Sequence, residues 1–466
     1  FIAFGEKFLF VIQGKGFVVY DPVKQTVEKF IRNKWNIPDQ DFQGVAMNVI
    51  KNKLWFCVPN YGLHIYDFIT GETEVYKANN YDPYALKNNI LQEIFEDKNG
   101  QIWLSVYKKG INYIDINYNQ FSSFYNIPND PSSLPSSNVV SFFEDNENLW
   151  MGTFQSEIIR YNKKRKEYST FKAGTANQKG MTWGGVISKI MKDDRGNMYF
   201  ISWINSIYYL SKKDNPDFSA SNLIFKNIFD EWNLKIERWS PRDAIIDEDQ
   251  NLWIVSFSRG ILRYNLLSGE QELYKKYNND TAALGNGVFW CITKGKNGDI
   301  WIGSEDRGLF KYNFKSKEFK LYTHNENDKN SISSNHIKCI YVDSDGTLWI
   351  GTGGAGICHF DPGTEKNIGV YNYKKDGISN NVIYGILEDS ANNLWLTSDN
   401  GLTCFNKRTK EVKVFTTSHG LQNLEFNINS YYKNSMGEFF IGGVEGFDRF
   451  YPDKITLNPY SAIPLI

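Results

Sequence analysis

The segment Asp343-Ser344-Asp345-Gly346-Thr347-Leu348-Trp349-Ile350-Gly351-Thr352 recurs in weakened form along the whole chain. Its Trp position is filled by Trp55, Trp103, Trp150, Trp253, Trp301, Trp349 and Trp395. Tyr199, Phe440 and Phe10 take that place in the remaining copies. Successive copies lie 45 to 54 residues apart, which makes ten repeats. A period of this length restricts the fold to stacked or radially arranged supersecondary units.

Each repeat has the same internal order. An apolar run such as Ile337 to Val342 reads as a buried strand. An Asp/Asn/Gly turn follows, as in Asp97-Lys98-Asn99-Gly100, and then the Trp strand. A Gly breaks that strand (Gly62, Gly110, Gly260, Gly308, Gly356, Gly401), and a third strand such as Leu309 to Asn313 comes next. The fourth, as in Glu318-Phe319-Lys320-Leu321-Tyr322, alternates polar and apolar residues and suits an outer position with one wet face. Four short strands per repeat, with no helical periodicity, predict an all-β fold of tandem β-propellers with four-stranded blades.

Ten blades exceed the four to eight that usually close a ring. We therefore expect one complete seven-bladed ring plus part of another. The Pro-rich linker Asn126-Ile127-Pro128-Asn129-Asp130-Pro131 is the best division by composition. It gives a partial propeller of about three blades over residues 1–133, a seven-bladed ring over 134–458, and the start of a linker over 459–466. The chain opens directly in strand-like sequence, Phe1-Ile2-Ala3-Phe4, and reads as a piece of something longer.

Composition narrows the function. A net charge of -1 leaves no field to attract nucleic acid, and no nucleic-acid partner is expected. No apolar run is long enough to span a membrane. The five cysteines (Cys57, Cys291, Cys339, Cys358, Cys404) show no CxxC spacing, so neither a disulfide framework nor a zinc site is expected. Cys291 and Cys339 share a repeat position with Ser141 and Gly385, which reads as a crowded strand that admits only small side chains. The histidines (His64, His324, His336, His359, His419) are scattered without metal-ligand spacing, and neither metal nor cofactor is expected.

The repeat tryptophans read as inter-blade core. Those outside the repeat position are Trp35, Trp183, Trp203, Trp232, Trp239 and Trp290. Trp203 follows a second strand, while Trp183, Trp232 and Trp239 lie in or beside linkers entering a new blade. In a propeller these two loop classes project from one face. Trp183, Trp203, Trp239 and Trp290 are therefore candidates to stack on sugar rings. Arg242, Arg259 and Arg307 are candidates for a carboxylate or sulfate on an acidic glycan. The bland readings are a plugged, irregular fifth blade for the tryptophans and solvated loop charge for the arginines. No pair of acids stands out as a catalytic dyad.

The repeat, read as Glu-Asp-x-x-Gly-x-Leu-Trp-Ile-Gly-Thr-x-x-x-Gly-Leu, resembles the regulator-propeller repeat of periplasmic sensor regions in hybrid two-component systems. Those systems are best known in gut bacteria that degrade polysaccharides. The nearest copies are Asp343 to Ile357 and Glu388 to Leu402. The stretch from Gly420 to Asn427, with Gly437 to Gly443 and Gly446 to Ile455, is similar to the closing blade of that family's second propeller. The resemblance implies a periplasmic ligand sensor whose parent protein is a dimeric inner-membrane histidine kinase with a β-sandwich after the second ring. Kinase activity would lie outside these residues, so the chain is not expected to be an enzyme. The alternatives are a propeller glycosidase or lyase, which needs a His, Glu or Arg cluster on one face, and a protein-interaction scaffold, which needs an exposed apolar patch.

Overall fold

The computed structural model describes residues 1–455 except 80–84, 99, 116–120, 173–184, 205, 233, 235–238, 259, 275–283 and 285–286. It is built almost wholly from short antiparallel strands in ten sheets. Two helices, Ile228–Glu231 and Tyr373–Asp376, are single turns. Among the described residues no helix is long and apolar enough to cross a membrane.

The chain divides into two compact units, of which Phe1–Asn119 forms the body of one and Gln120–Ile455 the other. In the first, strands Ile2–Phe4, Lys7–Ile12, Gly16–Asp21 and Thr26–Arg32 make one sheet, and Ala46–Ile50 to Thr73–Tyr76 a second. Leu91–Glu96, Gln101–Val106 and Gly110–Asp115 make a third, of three strands among the described residues.

The second unit holds seven four-stranded sheets. Their inner strands are Val139–Glu144, Ile187–Lys192, Pro241–Ile246, Phe289–Lys294, Ile337–Val342, Ile383–Glu388 and Phe426–Lys433. Each packs on the next, and Phe426–Lys433 packs back on Val139–Glu144, so the seven blades close a ring. The seventh blade takes its outer strand from the start of the unit: Ser122–Tyr125 pairs with Gly446–Phe450. The boundary expected after residue 133 thus falls inside this unit, because the strand before the Pro-rich linker closes the ring that follows it.

The repeat motif has a packing explanation. Trp150, Trp253, Trp301, Trp349 and Trp395 are at most 3 % exposed, and Tyr199 and Phe440 share that burial. The indole N–H of Trp150, Trp253, Trp349 and Trp395 donates to Asp145, Asp247, Asp343 and Asp389 at 2.8–2.9 Å. One Asp therefore caps the hairpin turn and satisfies the buried indole. Trp103, in the last sheet of the first unit, differs at 38 % exposed. The Gly of the second strand is steric. A Cβ on Gly303 or Gly351 would collide with Cys291 or Cys339 of the inner strand and with Ile337 or Ile383 of the next blade. Burial pushes the Cys339 thiol up to about 12, away from reactive thiolate character.

Ring closure contains a titratable latch. Asp448, 1 % exposed, accepts the Ser123 hydroxyl at 2.5 Å and the Gln422 N–H at 3.2 Å. Burial pushes its carboxyl from 3.8 up to about 7. Between these values the folded chain holds a proton that the unfolded chain has released, so stability falls as pH rises through this window. The loss has an upper bound of roughly 4 kcal/mol. Thermal unfolding from pH 4 to pH 8 is expected to show this decline, and Asp448→Asn to flatten it.

Candidate functional site

Six of the ring's inner strands share an irregularity. Their pairing with the second strand skips one residue, at Val140, Ser188, Arg242, Trp290, Lys338 and Tyr384. In the seventh blade the shift spans the residues between Phe426 and Tyr431. A bulge re-aims the side chain it carries, so six related blades place six different residues in one register around the ring.

Beside each bulge lies the residue that follows the second strand. The N–H groups of Phe154, Trp203, Phe257, Glu305 and Gly353 donate to the carbonyls of Asn138, Val186, Ser240, Val288 and His336 at 2.8–3.0 Å. These bonds fix four side chains, those of Phe154, Trp203, Phe257 and Glu305, against four inner strands on the same face.

The two sets meet around Arg242. Its guanidinium carbon lies 3.9 Å from the Trp203 ring centroid, 4.7 Å from Phe257 and 5.2 Å from Trp290. Trp203 packs edge-on against Phe154 and Trp290, at 5.9 and 6.3 Å between centroids. Trp290 carries Lys338 above its ring at 4.3 Å and donates its indole N–H to Glu305. Glu305 also faces Lys338 at 3.3 Å and His336 at 2.9 Å. Further round, the Tyr384 hydroxyl donates to Asp399 at 3.0 Å. Across the ring, the Asn429 amide reaches the Arg242 carbonyl at 3.4 Å.

Burial lowers the Arg242 guanidinium to about 10, which still leaves it cationic at neutral pH. Phe154 and Phe257 are 50 % and 40 % exposed, so the aromatic rim opens to solvent while the cation lies beneath it.

The structure brings together Trp203, Arg242 and Trp290 of the expected residues. Trp239 does not join them: it is 1 % exposed and packs edge-on against Phe229 in the core. A residue entering a blade can point into the sheet interface as readily as out of the loop. Arg307 sits in the turn after Ile300–Ser304, where its N–H donates to Ser304, and it has no contact with the cage among the described residues. Trp183 and Arg259 lie outside the described residues. The sequence reading missed Phe154, Phe257, Glu305, Lys338 and Tyr384. Each occupies a fixed offset from a repeat Trp or a small inner-strand residue, but the residue type there changes from blade to blade, so the offset alone does not single it out.

Repeats, blades and strand-exchange closure define a β-propeller protein. Within that class the chain carries two component regulator propeller repeats, matched at residues 133–155, 283–306, 331–354 and 377–400. It is 37% identical over 86 residues to histidine kinase P4 of Formosa agariphila, a match covering 18% of this chain and 6% of that kinase. Its fold is similar to the extracellular domain of a B. thetaiotaomicron hybrid two component system, with TM-score 0.71 and 20% identity over 96% of this chain. The chain spans 60% of that structure. It is also similar in fold to PorZ, a surface component of the type-IX secretion system of Porphyromonas gingivalis. There the TM-score is 0.53 and the identity 14%, covering 96% of this chain and 68% of PorZ.

Proposed function

We propose that this chain is the extracytoplasmic ligand-sensing region of a two-component sensor, that its ring binds an oligosaccharide, and that binding is reported to a histidine kinase. The observation that carries this reading is the aromatic cage of Trp203, Phe257 and Trp290 around Arg242 on a bulge-lined face. Exposed aromatic faces stack on the C–H faces of sugars, and a cation beneath them orients polar substituents. The regulator-propeller repeats support the sensing role. A parent anchored in the inner membrane, with its sensor in the periplasm as a homodimer, fits a kinase output.

The Glu305–His336 pair on the same face keeps lyase or hydrolase chemistry as the second reading. One experiment addresses both: thermal-shift screening of the chain against neutral and acidic oligosaccharides, with product analysis of every hit. A ligand at a hundred times its Kd is expected to add about 2.7 kcal/mol. We expect it to be recovered intact, and Trp203→Ala to weaken it at least roughly tenfold, or about 1.4 kcal/mol. A consumed sugar would establish an enzyme. No response to any sugar would overturn the sensing of oligosaccharides.

A further inference from the structure

Among the described residues Arg242 is a buried cation without a counter-ion. It is 8 % exposed, and its Nε and Nη1 atoms are buried with no hydrogen-bond partner among those residues. Trp203 beside it holds a third orphan donor, its buried indole Nε1. Removing a guanidinium from water costs several kcal/mol, and each desolvated cation–π contact returns about 2. The three π faces offset that cost in part but accept none of the in-plane N–H bonds, which stay unmet.

The acids nearby are already committed. Asp243, the next residue, turns to the other side of the strand, where it accepts the Ile292 N–H at 3.1 Å and faces Lys189 at 3.4 Å. Glu305 holds Trp290, Lys338 and His336, and Asp399 holds Tyr384. The second cation of the face, Lys338, lies over Trp290 and is paired with Glu305. The cage thus presents an unpaired guanidinium and unused N–H donors beneath an open aromatic rim.

We infer that the ligand of this face carries an anionic group, a carboxylate or a sulfate, that supplies the missing partner of Arg242. The inference rests on the reading of this face as the sugar site and adds selection for acidic over neutral oligosaccharides. A planar carboxylate or a sulfate accepts two parallel N–H bonds from a guanidinium, a geometry that a neutral hydroxyl cannot match. The aromatic walls exclude water and strengthen that pair. A neutral sugar would stack on the rim and leave the cation unpaired.

The test uses the full chain in calorimetric titrations with three probes: oligogalacturonides, heparin oligosaccharides, and neutral xylo- and cello-oligosaccharides. Binding of either acidic probe and not the neutral ones is expected. Binding of oligogalacturonides identifies carboxylate as the group, and binding of heparin oligosaccharides without oligogalacturonides identifies sulfate. Arg242→Gln is expected to weaken that binding at least roughly tenfold, in keeping with loss of a charge-assisted bond. Arg242→Lys, which keeps charge without the fork, is expected to fall between, and it serves in place of Arg242→Gln if that variant does not fold. Neutral oligosaccharides bound as tightly as acidic ones, with Trp203→Ala weakening them and Arg242→Gln not, would overturn the acidic selection and leave the sugar site standing. Binding indifferent to both substitutions would overturn the site itself.

Discussion

A chain shortened to begin at Gln120 is expected to unfold in one cooperative transition, whereas one begun at Leu134 is expected to lose that transition. The difference is the strand Ser122–Tyr125. It pairs with Gly446–Phe450 through Ser122↔Arg449, Ser123↔Asp448, Phe124↔Phe447 and Tyr125↔Gly446. Phe124 stacks on Phe447 at 4.7 Å and 8°, and Phe121, 3 % exposed, packs on Phe450 at 4.8 Å. Gly446, at φ 146°, has no room for a side chain, because a Cβ there would strike the Phe124 carbonyl. The closing contact is thus built into both partners.

Burial of Phe121 and partial burial of Phe124 are together worth at most roughly 3–6 kcal/mol. Without the strand, the seventh blade is left with an open edge that invites pairing with other chains. That loss is comparable to the whole stability of an ordinary domain, about 5–15 kcal/mol. Circular dichroism melts and size-exclusion chromatography of the two fragments check the expectation. Two equally cooperative, monomeric fragments would show that closure contributes little.

The same strand marks where reading the sequence stops. Ser122-Ser123-Phe124-Tyr125 follows the third repeat at the distance an outer strand should, and its pattern is equally suited to either sheet. Choosing between them requires knowing that the last blade supplies only three strands of its own, which is a property of the closed ring. The repeat core was legible for the opposite reason. The Trp, its capping Asp and the second-strand Gly all act within a blade or on its immediate neighbour, so each leaves a mark at fixed spacing.

The candidate face was half legible. Trp203 and Trp290 stood out because they break the Trp spacing, and Arg242 because it opens an inner strand. A bulge moves one side chain without changing the apolar pattern, so Lys338 and Tyr384 look like ordinary strand residues. Phe154 and Phe257 hide among the 33 Phe of the chain.

Replacing Trp239 by Ala is expected to cost about 3–5 kcal/mol of stability, the range for a large aromatic removed from a packed core. Trp239 is enclosed with Ile201, Ile207, Ala244, Leu252 and Ile254, all fully buried, and Phe229 meets its ring edge-on at 5.7 Å. These residues come from the second and third blades, so the cavity would open at a blade interface that the ring cannot narrow without moving both sheets. Trp239→Phe keeps most of the volume and is expected to recover a large part of the loss. Trp203→Ala should behave in the opposite way. Its ring is partly buried against Arg242, Phe154 and Trp290 rather than enclosed between sheets, so its loss should shift thermal unfolding less than that of Trp239 and act on ligand binding. Thermal unfolding of Trp239→Ala and Trp203→Ala, each with and without the best oligosaccharide, separates the two roles. Equal destabilisation by both would mean that Trp203 is core as well, and that the aromatic rim is a plug rather than a binding surface.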